Sequence, residues 1–296
     1  MKSLPMAKLE ELQTIASQVR RDIIWQTFLA QSGHPGGSLG CADFFTALYF
    51  ELMDHDPAFQ MAGIKEDVFI LSNGHISPGW YSVLARSGYF PIEELASFRK
   101  INSRLQGHPA THEGLPGVRV ATGSLGQGLS VAIGLALSKR LNGDPKTVYA
   151  LTGDGELQEG QIWEAALFAA HHGVDNLLVT VDWNGQQIDG PTREVISLGD
   201  LPAKWAAFGW TVLEAQGNDM EKLLSSLREA QSHLGKGKPV VVLMKTEMGS
   251  GVDFMEGSHK WHGVPPNEEQ KDRALAQLPE TLGDFPLPKS EGAAGA

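Results

Sequence analysis

A chain of 296 residues, 42% of them hydrophobic, can bury a substantial core, which excludes disorder as a class and fits one large α/β domain or two small ones. Its net charge of -11, from 24 Lys+Arg against 35 Asp+Glu, leaves no basic stripe for a phosphate backbone, so nucleic acid is not an expected partner. The single Cys41 permits no internal disulfide, MKSLPMAKLEELQ lacks an apolar signal core, and no apolar run reaches about 18 residues, so a cytoplasmic protein with no membrane segment is expected.

From Met6 to Gln31, Leu9, Leu12, Ala16, Val19 and Ile23 recur at helical spacing, and Ser32-Gly33 predicts a glycine stop. The next stretch, SGHPGGSLGCADFFTALYFELM, reads as a Gly/Pro loop carrying His34 and then an amphipathic helix. Asp67 to Leu71 (DVFIL) predicts a short buried strand, and His75 in SNGH lies just past its end, where ligand loops collect in α/β sheets. Beyond Phe90 come QGHPATHEG, with His108 and His112, and Gly123 to Gly128 (GSLGQG), which opens a helix rich in small residues. Such a glycine-rich helix start binds an anion or packs closely; it is neither GxGxxG nor a P-loop.

The most informative stretch runs from Gly153 to Gly190. A β-branched run, Thr147 to Thr152, enters the turn Gly153-Asp154-Gly155. Ile162, Ala165, Ala166 and Ala169 then mark a helix, and a second buried run, Leu177 to Val181, ends in Asp182-Trp183-Asn184-Gly185. This is a βαβ unit, whose two strand-end loops open on one side of the sheet, so Asp154 and Asn184 become neighbours. An isolated GDG is an ordinary turn. Phased with the Asn184 loop, it supplies a carboxylate, an amide oxygen and the Gln186 carbonyl, an incomplete set for Mg²⁺, which takes about six oxygens and shares them with phosphates and water. Glycines beside Asp154 let backbone N–H groups approach those phosphates.

Pro191 to Trp210 reads as a connection with one short helix. Thr211 to Glu214 and Pro239 to Met244 read as strands flanking a helix over Asp219 to Leu234. The alternation predicts a doubly wound, mainly parallel sheet with helices on both faces. KTEMGSGVDFMEGSHKWHGVPPN, with His259 and His262, is long and glycine-rich enough to suggest function. The domain is expected to span residues 1–278, and the Pro/Gly/Ala-rich stretch 279–296 to be a poorly ordered tail.

Five separated motifs, SGHPGG, SNGH, QGHPA, GSLGQG and GDGELQEG with NGQQIDG, followed by HGVPP, resemble the thiamine diphosphate-binding half of transketolase over about residues 10 to 275. The resemblance implies a thiamine diphosphate-binding fold and thiamine diphosphate as cofactor, with Mg²⁺ or another divalent cation such as Ca²⁺ or Mn²⁺. It implies His34 facing the reacting carbonyl, His108 on the ketol hydroxyls, His75 on the diphosphate, and His262 on both diphosphate and substrate. Gly123 and Leu125 would lie against the aminopyrimidine, Gly155 and Glu156 beside the cofactor, and Asp154, Asn184 and Gln186 around the metal. His112 matches no motif and is expected at the surface; His259 competes with His262 for its role. Gly37-Ser38, Ser124 and Pro78-Gly79-Trp80 depart from the commoner pattern and resemble short, split members.

In transketolases a glutamate that protonates the pyrimidine ring activates the cofactor, and it lies in the half with no counterpart here. The resemblance therefore implies one subunit of a split transketolase, a transferase moving a two-carbon ketol group from a ketose phosphate to an aldose. It would be completed by a C-terminal, pyrimidine-binding partner, as a heterotetramer. Recognition of substrate phosphate or sulfonate is expected to rest largely on that absent half. The alternatives are half of another thiamine diphosphate enzyme, of the 2-oxo acid dehydrogenase or deoxyxylulose-phosphate synthase type, or a non-catalytic homologue.

Overall fold

The computed structural model describes residues 5–287. Helix α1 (Met6–Ala30) leads into two short helices, α2 (Pro35–Gly40) and α3 (Ala42–Ala47), then strand β1 (Val68–Leu71) and helix α4 (Ser77–Arg86). A long irregular segment follows, then α5 (Gly128–Leu141), β2 (Val148–Gly153), α6 (Gly160–His171) and β3 (Leu177–Trp183). A two-residue ribbon, β4 (Gln186–Gln187) with β5 (Gly190–Pro191), precedes α7 (Thr192–Val195) and α8 (Leu201–Ala207). The chain continues through β6 (Thr211–Gln216), α9 (Met220–Ser232), β7 (Val240–Lys245) and α10 (Glu268–Gln277).

The main sheet has the order β1-β2-β3-β7-β6 and every neighbouring pair is parallel. Because side chains alternate across a strand, Phe69, Leu71, Tyr149, Leu151, Val240 and Val242 enter one core with α1, α3, α4 and α9. Val68, Ile70, Val148, Ala150, Val241 and Leu243 enter the other, with α5, α6 and α8. Both faces are thus covered, which is why the strands read as continuous apolar runs. The doubly wound architecture is as expected.

Three details differ from the sequence reading. Helix α1 closes on Gln31, itself left-handed at φ 47°, ahead of Gly33. Half of the expected His34 loop is helical, because Pro35 at the first helical position presets φ and costs no hydrogen bond. Packing also continues beyond Leu278: Phe285 is buried, and Asp284 accepts hydrogen bonds from Arg21 Nε (2.7 Å), Gln18 Nε2 (2.9 Å) and Trp25 Nε1 (2.9 Å). Residues 279–287 are therefore held against α1 rather than forming a loose tail; 288–296 lie outside the described residues. Among the described residues no helix is long and apolar enough to cross a membrane.

Candidate active site

The loops that leave the C-terminal ends of β1, β2, β3 and β7 gather around a pocket of about 180 Å³. Its lining includes His75, Leu125, Asp154, Gly155, Glu156, Asn184, Gln186 and His262, residues drawn from sequence positions far apart. The register explains the central pair. Gly153 lies opposite Asp182 across β2 and β3, so the residues just beyond, Asp154 and Asn184, meet at one edge. Gly185 N–H closes the junction by donating to Asp154 Oδ2 (2.7 Å).

Four histidines converge beside this pair. The His34 ring centroid lies 5.0 Å from His75, 5.5 Å from His262 and 6.1 Å from His108, and His75 lies 5.0 Å from His262. The His34 and His262 loops meet because Gly249 N–H, in the loop leading to His262, donates to the Gly36 carbonyl (2.8 Å). Gly123 brings the GSLGQG loop under His108: its φ of +118° suits glycine, and a Cβ there would lie 2.5 Å from the His108 ring. His112 is exposed beside Glu113, and His259 does not line the pocket, so neither joins the cluster.

Burial makes the imidazoles neutral at physiological pH. It pushes His34 down to about 3, aided by the neighbouring His262, Arg99 and His108, and it lowers His75, His108 and His262 as well. A neutral imidazole both donates and accepts, which suits exchange of protons with a carbonyl or hydroxyl. Nδ1 of His34 and Nδ1 of His262 are buried with no protein partner, as is Asn73 Oδ1. Buried polar atoms are rarely left so, and three around one pocket fit a polar ligand.

The carboxylates divide into different roles. Asp154 accepts from Gly155 N–H (2.8 Å) and Gly185 N–H, yet burial, reinforced by nearby Asp182, pushes its pKa up to about 8. A cation at Asp154 would relieve both causes. Asn184 Nδ2 donates to Asp182 Oδ2 (2.8 Å), while its Oδ1 accepts from Gln186 N–H (2.8 Å). Among the described residues no group of three or more His, Cys, Asp or Glu could hold a metal alone. The donor set suits a hard divalent cation only if ligand oxygens complete it, as a diphosphate would.

Glu156 lines the pocket, but its oxygens are taken: Oε1 accepts from Ser72 Oγ (2.5 Å) and Gly126 N–H (2.9 Å), and Oε2 from Gly153 N–H (3.1 Å). It fastens the SNGH, GSLGQG and GDG loops together. Sequence reasoning missed this, and missed Asp182, which also accepts from Thr246 Oγ1 and the Cys41 thiol and so ties the Asn184 loop to the end of β7. The only signal for Asp182 was its place two residues before Asn184.

The model for the family described as transketolase, thiamine diphosphate binding domain, matches residues 13–286. The chain is 39% identical over 270 residues to one of the two subunits of the apulose-4-phosphate transketolase of Actinobacillus succinogenes, covering 91% of this chain and 96% of that one. It is 39% identical over 268 residues to the 6-deoxy-6-sulfo-D-fructose transketolase subunit SqwG of a Clostridium species, covering 90% and 96%. The transketolase structure from Leishmania mexicana superposes with a TM-score of 0.85 at 30% identity, over 94% of this chain but 43% of its own. That from Campylobacter jejuni gives 0.83 at 33%, over 96% and 45%. This chain therefore spans under half of those longer transketolases, and nearly all of the two matched subunits. On the sequence match and the shared architecture, it belongs to the transketolase thiamine diphosphate-binding domain family.

Proposed function

We propose that the chain is the diphosphate-side half of a two-chain transketolase, transferring a two-carbon ketol group from a ketose carrying a phosphate or sulfonate to an aldose. The convergence of His34, His75, His108 and His262 on the Asp154–Asn184 edge carries the reading. Relatives named as transketolase subunits, matched along 96% of their length, support a separate partner. One of their names includes apulose-4-phosphate and the other a sulfonated fructose, which supports an anionic sugar as the substrate class.

Asp154, Asn184 and the Gln186 carbonyl would hold Mg²⁺ or a similar divalent ion, and His75 and the Gly155 backbone the diphosphate. Gly123 and Leu125 would face the aminopyrimidine. Bound thiamine diphosphate supplies a nucleophilic carbon and an electron sink for the two-carbon fragment. His34 and His108, neutral and partly freed from protein partners, would orient the ketol oxygens and exchange protons with them as the carbon–carbon bond breaks and re-forms. His262 would bridge the diphosphate and substrate ends. The partner would contribute the pyrimidine-binding half with its glutamate, in a heterotetramer. A cytoplasmic setting is supported by the single, buried, unpaired Cys41. Co-expression with a C-terminal transketolase partner chain, followed by a ketol-transfer assay with thiamine diphosphate and Mg²⁺, tests the reading; pyruvate decarboxylation without ketol transfer would replace it with another enzyme of the cofactor class.

A further inference from the structure

We infer that the cavity on the far side of His108 seats the terminal oxyanion of the sugar substrate, and that Arg99 is the residue that recognises it. That the anion belongs to a substrate rests on the transketolase function proposed above; that the cavity takes an anion rests on its own geometry. The cavity, about 450 Å³, is lined by Ser32, Arg99, Gln106, His108 and His112 among others, and no carboxylate lines it. That is unusual in a chain of net charge -11.

Arg99 is held rather than adventitious. Its backbone is left-handed at φ 56°, a strained setting for a non-glycine residue, and its N–H donates to the Leu105 carbonyl (2.9 Å). The guanidinium lies against Gly107, where an added Cβ would come within 2.3 Å of Arg99 Cζ, so only glycine there lets the cation sit beneath His108. Nη1 donates to Ser32 Oγ (3.0 Å), and Nε is buried without a partner. Among the described residues no carboxylate pairs with Arg99, and burial lowers its pKa from the ordinary arginine range. A half-buried, uncompensated guanidinium facing an open polar cavity is a receptor for a phosphate or sulfonate, whose oxygens match its planar donors.

His108 belongs to both places. It lies 6.1 Å from His34 in the reacting cluster and also lines the cavity. A sugar whose ketol end lies at His34 and His108 can therefore extend its charged end toward Arg99, without leaving this chain. Recognition of the substrate's anion is then shared by this chain and does not reside wholly in the missing half.

The isolated chain tests the anion site directly, through the His112 Cε1–H resonance during titration with inorganic phosphate and, separately, methanesulfonate, against chloride at equal ionic strength. Saturable shifts with phosphate or methanesulfonate are expected, abolished in Arg99→Met and largely restored in Arg99→Lys, which keeps a phosphate-binding charge; the responding anion identifies the preferred headgroup. No saturable shift with either anion, or one unchanged by Arg99→Met, overturns the inference. In the assembled complex, Arg99→Met should raise KM for a phosphorylated or sulfonated ketose by about tenfold, the loss of one charge-assisted hydrogen bond, and leave KM for uncharged erythrulose unchanged. Equal effects on both ketoses would show that Arg99 only supports the His108 loop. If the wild-type complex transfers no ketol group, the transketolase reading fails while the titration still decides the anion site.

Discussion

Asp154 and Glu156 are two residues apart and equally buried, yet their surroundings assign them opposite tasks. Asp154 keeps a pKa pushed up to about 8 because burial and Asp182 oppose its charge. Since this folded value lies above the ordinary carboxylate value, protonation stabilises the metal-free fold at low pH, and that contribution is lost as pH rises toward 8. Binding Mg²⁺ with thiamine diphosphate at pH 7 should therefore release a proton from Asp154. Calorimetry in buffers of differing ionisation enthalpy reads the release directly; buffer-independent heats, or release persisting in Asp154→Asn, would refute it. Glu156 instead spends both oxygens on Ser72, Gly126 and Gly153. Glu156→Ala should lower unfolding stability by about 3 kcal/mol in urea titration, the scale of removing one partner from a buried, charged hydrogen-bond set. A loss within experimental error would show that the three loops hold without it.

At the scale of elements, the central βαβ unit was legible because its information is local. Strand runs, the period of α6 and the glycine turns placed Asp154 and Asn184 together, and the register of β2 on β3 does bring their loops into contact. The histidine loops were legible only through motif resemblance, since nothing in SNGH or QGHPA alone says that their rings approach within about one ring's width of His34. Pairings between distant side chains left no periodic trace, so the Glu156 fastening, the Asp182 bridge from Cys41 to Thr246, and the docking of Asp284 and Phe285 on α1 could not be read. Composition was misleading for 279–287: a proline- and glycine-rich stretch can still be pinned by one carboxylate facing Arg21. Gly123→Ala tests the packing of two loops, because the new methyl would collide with the His108 ring at a strained φ. The variant should lose about 2 kcal/mol of stability, and in the complex kcat should fall more than KM rises. Unchanged kinetics would remove His108 from the reacting centre.

The whole molecule is a complete doubly wound domain that holds an incomplete site. Both cores are closed, yet the edge carrying the four histidines and Asp154 has its chemistry on loops facing outward from the sheet. The longer transketolases extend over more than twice the matched length, whereas the matched subunits are nearly the length of this chain. Such a domain contributes one half of a shared reaction centre, and the other half must arrive on a second chain. The decisive measurement is ketol transfer with thiamine diphosphate and Mg²⁺ for the chain alone, its pyrimidine-binding partner alone, and mixtures at increasing ratio. No turnover by either chain separately is expected, with activity that saturates at equal amounts of the two. Full turnover by this chain alone, or none at any ratio with the cofactor bound, would contradict a shared centre.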